Sequence, residues 1–187
     1  MFWILFIIDK QLPFIRGQNC HLHTFDCDVP LPEPGPGYPL FDHFLANIRM
    51  AYLQEDIYRS LYSAEAGRIT ESQRQQNVED ILGKLKVWSA AYQHLDVPIS
   101  PDNSCQKPYF GLELKYALLT SRILVQRRSK EKEAKQQRLD HSRESLSIIR
   151  KLCEARSAIG SHIVLERYAI PTFHMPRFLL TNKQNPH

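Results

Sequence analysis

Glycine is scarce, with seven residues in 187. That disfavours a fold built on many tight β-turns and leaves helices as the expectation. Cysteine occurs four times, at Cys20, Cys27, Cys105 and Cys153, too few for a disulfide-dense secreted scaffold. No apolar run approaches the roughly 20 residues that a membrane span needs. The longest, residues 2–8, is stopped by Asp9 and Lys10. It has no positive charge before it and no small-residue cleavage site after it, so it does not read as a signal peptide. A soluble, intracellular chain with no membrane partner is expected. Catalytic signatures are also missing: there is no G-x-S-x-G, no H-E-x-x-H, no glycine-rich phosphate loop and no G-x-G-x-x-G. No enzyme is expected, and no residue is assigned a catalytic, cofactor-binding or metal-binding role.

The length suits one domain, or a domain with a tail, able to bury about 70% of its unfolded surface. Apolar residues at 43% argue against disorder throughout. The net charge of +4 is too small to indicate nucleic-acid binding. It is unevenly spread, because residues 122–151 hold ten basic residues against four acidic ones. The dense part, Arg127, Arg128, Lys130, Lys132, Lys135 and Arg138, has the composition of a nuclear-import or nucleic-acid patch. With Glu131 and Glu133 interleaved it reads better as a solvated helix face.

Residues 2–15 are apolar on most sides and call for burial. Residues 17–39 form an extended loop, because Pro30, Pro32, Pro34, Pro36 and Pro39, with Gly35 and Gly37, exclude helix. Phe41, Phe44, Ile48 and Tyr52, continued by Leu53, Ile57 and Leu61, predict a helix over residues 41–66 that stops at Gly67. Thr70 with Gln73 makes a capping-box pattern. Val78, Ile81, Leu85, Trp88, Tyr92 and Leu95 then give the cleanest amphipathic stripe, ended by Pro98 and Pro101. Pro108 opens the next helix, whose stripe is Leu112, Tyr116, Leu119 and Ile123. Residues 130–137 read as an exposed loop or frayed helix. Leu146, Ile149 and Cys153, with residues 155–159, suggest a last helix. The fold class is all-α, an irregular helical bundle with a proline-rich extended loop near residues 17–40.

Three constellations invite a chemical reading. Cys20, His21, His23, Asp26, Cys27 and Asp28 lie within nine residues and all are metal-ligand types. They lack the two closely spaced ligand pairs of structural zinc sites, so a polar loop with incidental thiols is the better reading. Asp26 and Asp28 are paired only in the sense that any loop offers two acids. Glu55, Asp56 and Glu65 sit on a predicted helix and are expected to be solvated. Tyr52, Tyr58, Tyr62, Tyr92, Tyr109 and Tyr116 have the makings of a cavity lining, but tyrosines that edge a helical core are the simpler expectation.

Phe2-Trp3-Ile4-Leu5-Phe6-Ile7-Ile8-Asp9-Lys10 resembles the "FWxLYxxDK/R" helix of the fungal-specific transcription factor domain, the middle homology region of fungal binuclear zinc-cluster transcription factors. Gly17-Gln18 stands at that family's "GxP" turn, and Asp26-Cys27-Asp28-Val29-Pro30-Leu31-Pro32 matches its "D-x-D-V-x-L-P" segment. Ile57-Tyr58-Arg59-Ser60-Leu61-Tyr62-Ser63-Ala64 resembles its "IYrxLYSA" helix. Residues 81–88 resemble its "LxxELxxW" helix, with Trp88 in the tryptophan place. Residues 112–127 resemble its "LxYhxxLixlhR" helix.

The resemblance implies a partial regulatory domain over residues 1–160 and a weakly matching tail over 161–187. It implies a nuclear location and a part in regulating transcription by RNA polymerase II. Protein partners or self-association are expected, and a small-molecule effector is allowed. Full-length family members carry zinc and bind DNA through a six-cysteine cluster that has no counterpart here. The chain is therefore expected to hold no cofactor of its own and to reach DNA only through that missing module. It reads as an N-terminally truncated form of the domain. The alternatives are a stand-alone helical domain that binds a small molecule, and a non-functional truncated gene product.

Overall fold

The computed structural model describes residues 1–33, 40–96 and 107–159, the last stretch with its side chains between 110 and 152. Five helices follow in order: α1 (Phe2–Arg16), α2 (Phe41–Leu61), α3 (Glu71–Tyr92), α4 (Lys107–Gln126) and α5 (Lys132–Ile159). Short 3-10 turns occupy Thr24–Asp26 and Gln93–Leu95. The described residues include no strand, so the protein is all-α, as its sparse glycine and helical periodicity indicate. Pro34, Gly35, Pro36, Gly37, Pro39, Pro98, Pro101, Cys105 and the tail 161–187 lie outside the described residues, as do the side chains of Tyr109 and Cys153.

α2 is the hub. It packs against α1 on one side and against α3 and α4 on the other, while α5 lies along α4. Two apolar stripes on α2 explain this. Phe44, Ile48, Ala51 and Tyr52 meet Trp3, Phe6 and Ile7 of α1. Ala46, Met50, Ile57 and Leu61 join Val78, Ile81, Leu85 and Trp88 of α3 and Leu114, Leu118 and Val125 of α4. The indole of Trp88 donates a hydrogen bond to the Ala46 carbonyl at 3.1 Å, which satisfies the polar atom of a buried tryptophan. α4 turns Leu112, Tyr116 and Leu119 towards Ile148 and Leu152 of α5.

The ends of the helices have local causes. α1 closes at Gly17, which adopts a left-handed φ of 66° and donates its N–H to the Phe14 carbonyl. That conformation suits glycine, which has no Cβ to clash. α3 opens on a complete capping box between Thr70 and Gln73, as the sequence indicates.

Four expectations need correction. α2 ends at Leu61, not residue 66, because the Ser63 hydroxyl bonds the Arg59 carbonyl and the Ala66 N–H, offering the backbone an alternative to further helix. The loop after Gly17 is not wholly extended, since it contains a 3-10 turn at Thr24–Asp26. Of the two readings of residues 130–137, exposed loop or frayed helix, it is the loop that fails, because α5 begins at Lys132. The polar stretch 132–137 is made of lysine, glutamate, alanine and glutamine, which are good helix formers. Finally, Leu146 is exposed, and the buried stripe of α5 runs through Ile148 and Leu152.

Two helical glycines give a paired test. Nothing lies near a methyl group placed on Gly83, whereas one on Gly111 would stand 2.3 Å from the Leu95 carbonyl oxygen. Gly83→Ala should stabilise the fold by about 0.5–1 kcal/mol. Gly111→Ala should destabilise it despite the same gain in helix propensity. Urea denaturation of both variants checks this, and equal stabilisation would show that α4 does not approach the end of α3 so closely.

Candidate functional site

The charged residues that terminate the apolar run of α1 do not point to solvent. Lys10 is 2% exposed. Its ammonium meets the Glu55 carboxylate of α2 at 3.0 Å, the Cys20 thiol at 3.3 Å and the Leu22 carbonyl. These three partners match the three N–H donors that an ammonium carries. The nitrogen also lies 4.7 Å from the centre of the Phe6 ring, a cation–π distance.

Asp9 works on the same loop from the other direction. Its carboxylate accepts the backbone N–H of His21 at 3.0 Å and of Leu22 at 2.8 Å. Adjacent helix residues thus grip one loop by opposite polarity, Asp9 by its N–H groups and Lys10 by a carbonyl and a thiol. The indole of Trp3 adds a hydrogen bond to the Pro30 carbonyl at 3.2 Å.

Glu55 completes the knot. It accepts the Thr24 backbone N–H at 3.2 Å and the Thr24 hydroxyl, and it lies 3.4 Å from Nδ1 of His23. It is 8% exposed, so the expectation of a solvated glutamate is wrong. Burial by itself pushes its carboxyl up, but the bonds from Thr24 and Lys10 outweigh burial and hold it below the ordinary glutamate value. The helical pattern marks this face of α2 as polar. It carries no sign that a lysine 45 positions earlier is turned towards it. Asp56 is half-buried against Lys84 and Arg59, and Glu65 is exposed.

The structure sorts the metal-type residues of the loop. Cys20 and His23 converge with Glu55, all three ligand atoms lying within 4.8 Å of one another. The Cys20 sulfur stands 3.6 Å from His23 Nδ1. His21, Asp26 and Asp28 are exposed and stay apart from this group. Cys27 packs against the aromatic cluster of Trp3, Phe6 and Tyr52. Cys20 and Cys27 are both free thiols. Cysteine, histidine and carboxylate together suggest a nucleophile with its base, but burial pushes the Cys20 thiol up against the pull of Lys10. An activated cysteine has its pKa lowered, which is the opposite direction.

Among the described residues the tyrosines do not line one cavity. Tyr52 stacks among the rings of Trp3 and Phe6. Tyr62 donates its hydroxyl to the Leu124 carbonyl at 2.6 Å. Tyr92 borders a pocket of about 250 Å³ with Trp88, Leu95, Lys115 and Arg122, and Tyr116 a separate small cavity beside Gln54 and Thr120. The basic run is partly engaged by the protein itself: the Arg128 guanidinium covers the Tyr62 ring at 4.5 Å and Lys130 reaches Glu71 at 3.3 Å. The outer side of α1 is different. Ile4, Leu5, Ile8 and Leu12 are exposed together, so the apolar run is buried along only one face. Among the described residues no helix is long and apolar enough to cross a membrane.

The chain is 31% identical over 174 residues to "Transcription factor oryO" of Aspergillus oryzae (strain ATCC 42149 / RIB 40). The match takes in 91% of this chain and 20% of that protein, so the chain spans about one fifth of its relative's length. No family model matches the chain. No solved structure matches it either.

The Asp9 clamp gives a direct prediction. Asp9→Ala removes the acceptor for two backbone N–H groups in a site 13% exposed. Charged hydrogen bonds of this kind contribute about 1.5–3 kcal/mol. The variant should lose stability in that range and exchange the His21 and Leu22 amide hydrogens faster, as read by NMR. Unchanged exchange at both amides would contradict the clamp.

Proposed function

We propose that this chain is part of the regulatory region of a fungal zinc-cluster transcription factor, corresponding to its middle homology region. The observation that carries the reading is the 174-residue similarity to a transcription factor of Aspergillus oryzae. The geometry supports it: the "FW…DK" residues, whose pattern suggested the family, are those that bind the loop and α2 together through Trp3, Asp9 and Lys10. In this reading the chain works in the nucleus, in transcription by RNA polymerase II. DNA recognition and its zinc cluster belong to another part of the longer regulator. The described helices contribute contacts with protein, and the natural surface for them is the uncharged outer face of α1 formed by Ile4, Leu5, Ile8 and Leu12.

Tethering tests this. Fused to an unrelated DNA-binding domain in a fungal reporter strain, the chain should raise or lower reporter expression severalfold. Ile4→Lys combined with Ile8→Lys should remove most of that effect while far-ultraviolet circular dichroism stays unchanged, because both side chains already lie at the surface, about half exposed. A fusion that is expressed and folded yet leaves the reporter unaffected would contradict the proposal.

A further inference from the structure

We infer that Cys20, His23 and Glu55 form a zinc site that fastens the loop after α1 to α2. The donor set is one sulfur, one imidazole nitrogen and one carboxylate oxygen, which suits Zn²⁺ and not the oxygen-seeking Mg²⁺ or Ca²⁺. With zinc–ligand bonds of about 2.0–2.3 Å, the ligand atoms of a tetrahedral site lie about 3.3–3.6 Å from one another. Two of the three separations fall in this range, 3.6 Å between Cys20 Sγ and His23 Nδ1 and 3.4 Å between that nitrogen and Glu55 Oε1, and all three atoms lie within 4.8 Å of one another. Three protein ligands leave the fourth position to water, as in open zinc sites.

The surroundings are those of a supported site. The His23 ring stacks on Phe25 with 5.0 Å between centroids and 6° between planes, which sets the plane of the ring, and its Nδ1 faces Cys20 and Glu55. The His23 side chain is 28% exposed, which gives the ion a way in. Glu55 divides its work: Oε1 faces His23, while Oε2 holds Lys10 at 3.0 Å. Lys10 also donates to the Cys20 sulfur at 3.3 Å. Hydrogen bonds to ligand atoms of this kind orient metal ligands and tune the ion.

Zinc binding replaces the thiol proton of Cys20, which passes to solvent. The charges then balance: Zn²⁺ and the Lys10 ammonium face the Cys20 thiolate, Glu55 and Asp9, whose carboxylate is 3.8 Å from the ammonium. The positive neighbour therefore does not leave the ion in a net positive pocket.

The experiment is a Co²⁺ titration of the reduced full 187-residue chain, followed by Zn²⁺ displacement. One equivalent of Co²⁺ should produce a thiolate-to-cobalt charge-transfer band, and one equivalent of Zn²⁺ should bleach it. Cys20→Ser should abolish the band. His23→Ala, a change at a partly exposed side chain, should keep the helical circular dichroism and weaken binding at least about 10–100-fold, the loss that even supporting residues around a metal cause. Cys27→Ser should leave the band intact. Absence of one-to-one uptake by the wild-type chain would overturn the inference. So would a band that survives Cys20→Ser, one that His23→Ala leaves at full affinity, or one that disappears with Cys27→Ser.

Discussion

The buried pair of Lys10 and Glu55 is the constraint on which the arrangement of α1 depends. Removing two charges from water costs several kcal/mol per ion, and attraction alone repays that only when every remaining donor and acceptor is used. Here they are used: Lys10 reaches Glu55, Leu22 and Cys20, and Glu55 also accepts from Thr24. The pair therefore works as a positional lock, not as a simple gain in stability. A shift of α1 along α2 by one turn, about 5.4 Å, would leave a cation and an anion buried and apart. The aromatic contacts of Trp3, Phe6 and Tyr52 are less exacting, because apolar surfaces can slide and repack.

The same lock explains how one helix serves two surfaces. The inward side of α1 holds Trp3, Phe6, Ile7 and Lys10, and the outward side holds Ile4, Leu5, Ile8 and Leu12. Fixing the inner side in register fixes what the outer side presents. A partner docking on the outer face would then meet a surface whose orientation is set by the loop, Glu55 and α2. Zinc in the neighbouring cluster of Cys20, His23 and Glu55 would tie the same loop to the same helix. The proposed regulatory contact and the proposed metal site thus share one structural dependence.

Much of the fold was legible in the sequence. The stripe from Val78 to Trp88 and the Thr70–Gln73 box appear as expected, because helix periodicity and capping are local properties. Phe44, Ile48 and Tyr52, continued by Ile57 and Leu61, were visible as apolar positions of α2, but that they pack against different helices on two sides was not. Nor was the end of α2, since the Ser63 hydroxyl competes with helix growth only where the backbone geometry permits it. The candidate site was half legible. Cys20 and His23 are close in sequence and share a recognisable ligand chemistry. Glu55 comes from another helix, and its burial depends on a tertiary contact with Lys10 that no spacing rule encodes. The charge on residues 9 and 10 marks the end of an apolar run equally well whether those side chains turn outward or, as here, inward.

The most direct measurement of this account is a double-mutant cycle on the lock itself, using Lys10→Met, Glu55→Gln and the combined variant in urea denaturation. Each single change strands a buried polar or charged partner, so each should be strongly destabilising, and the two should couple by at least about 2 kcal/mol. Effects that add to within about 0.5 kcal/mol would mean the two side chains act independently. The placement of α1 against α2 would then have to rest on its aromatic contacts alone.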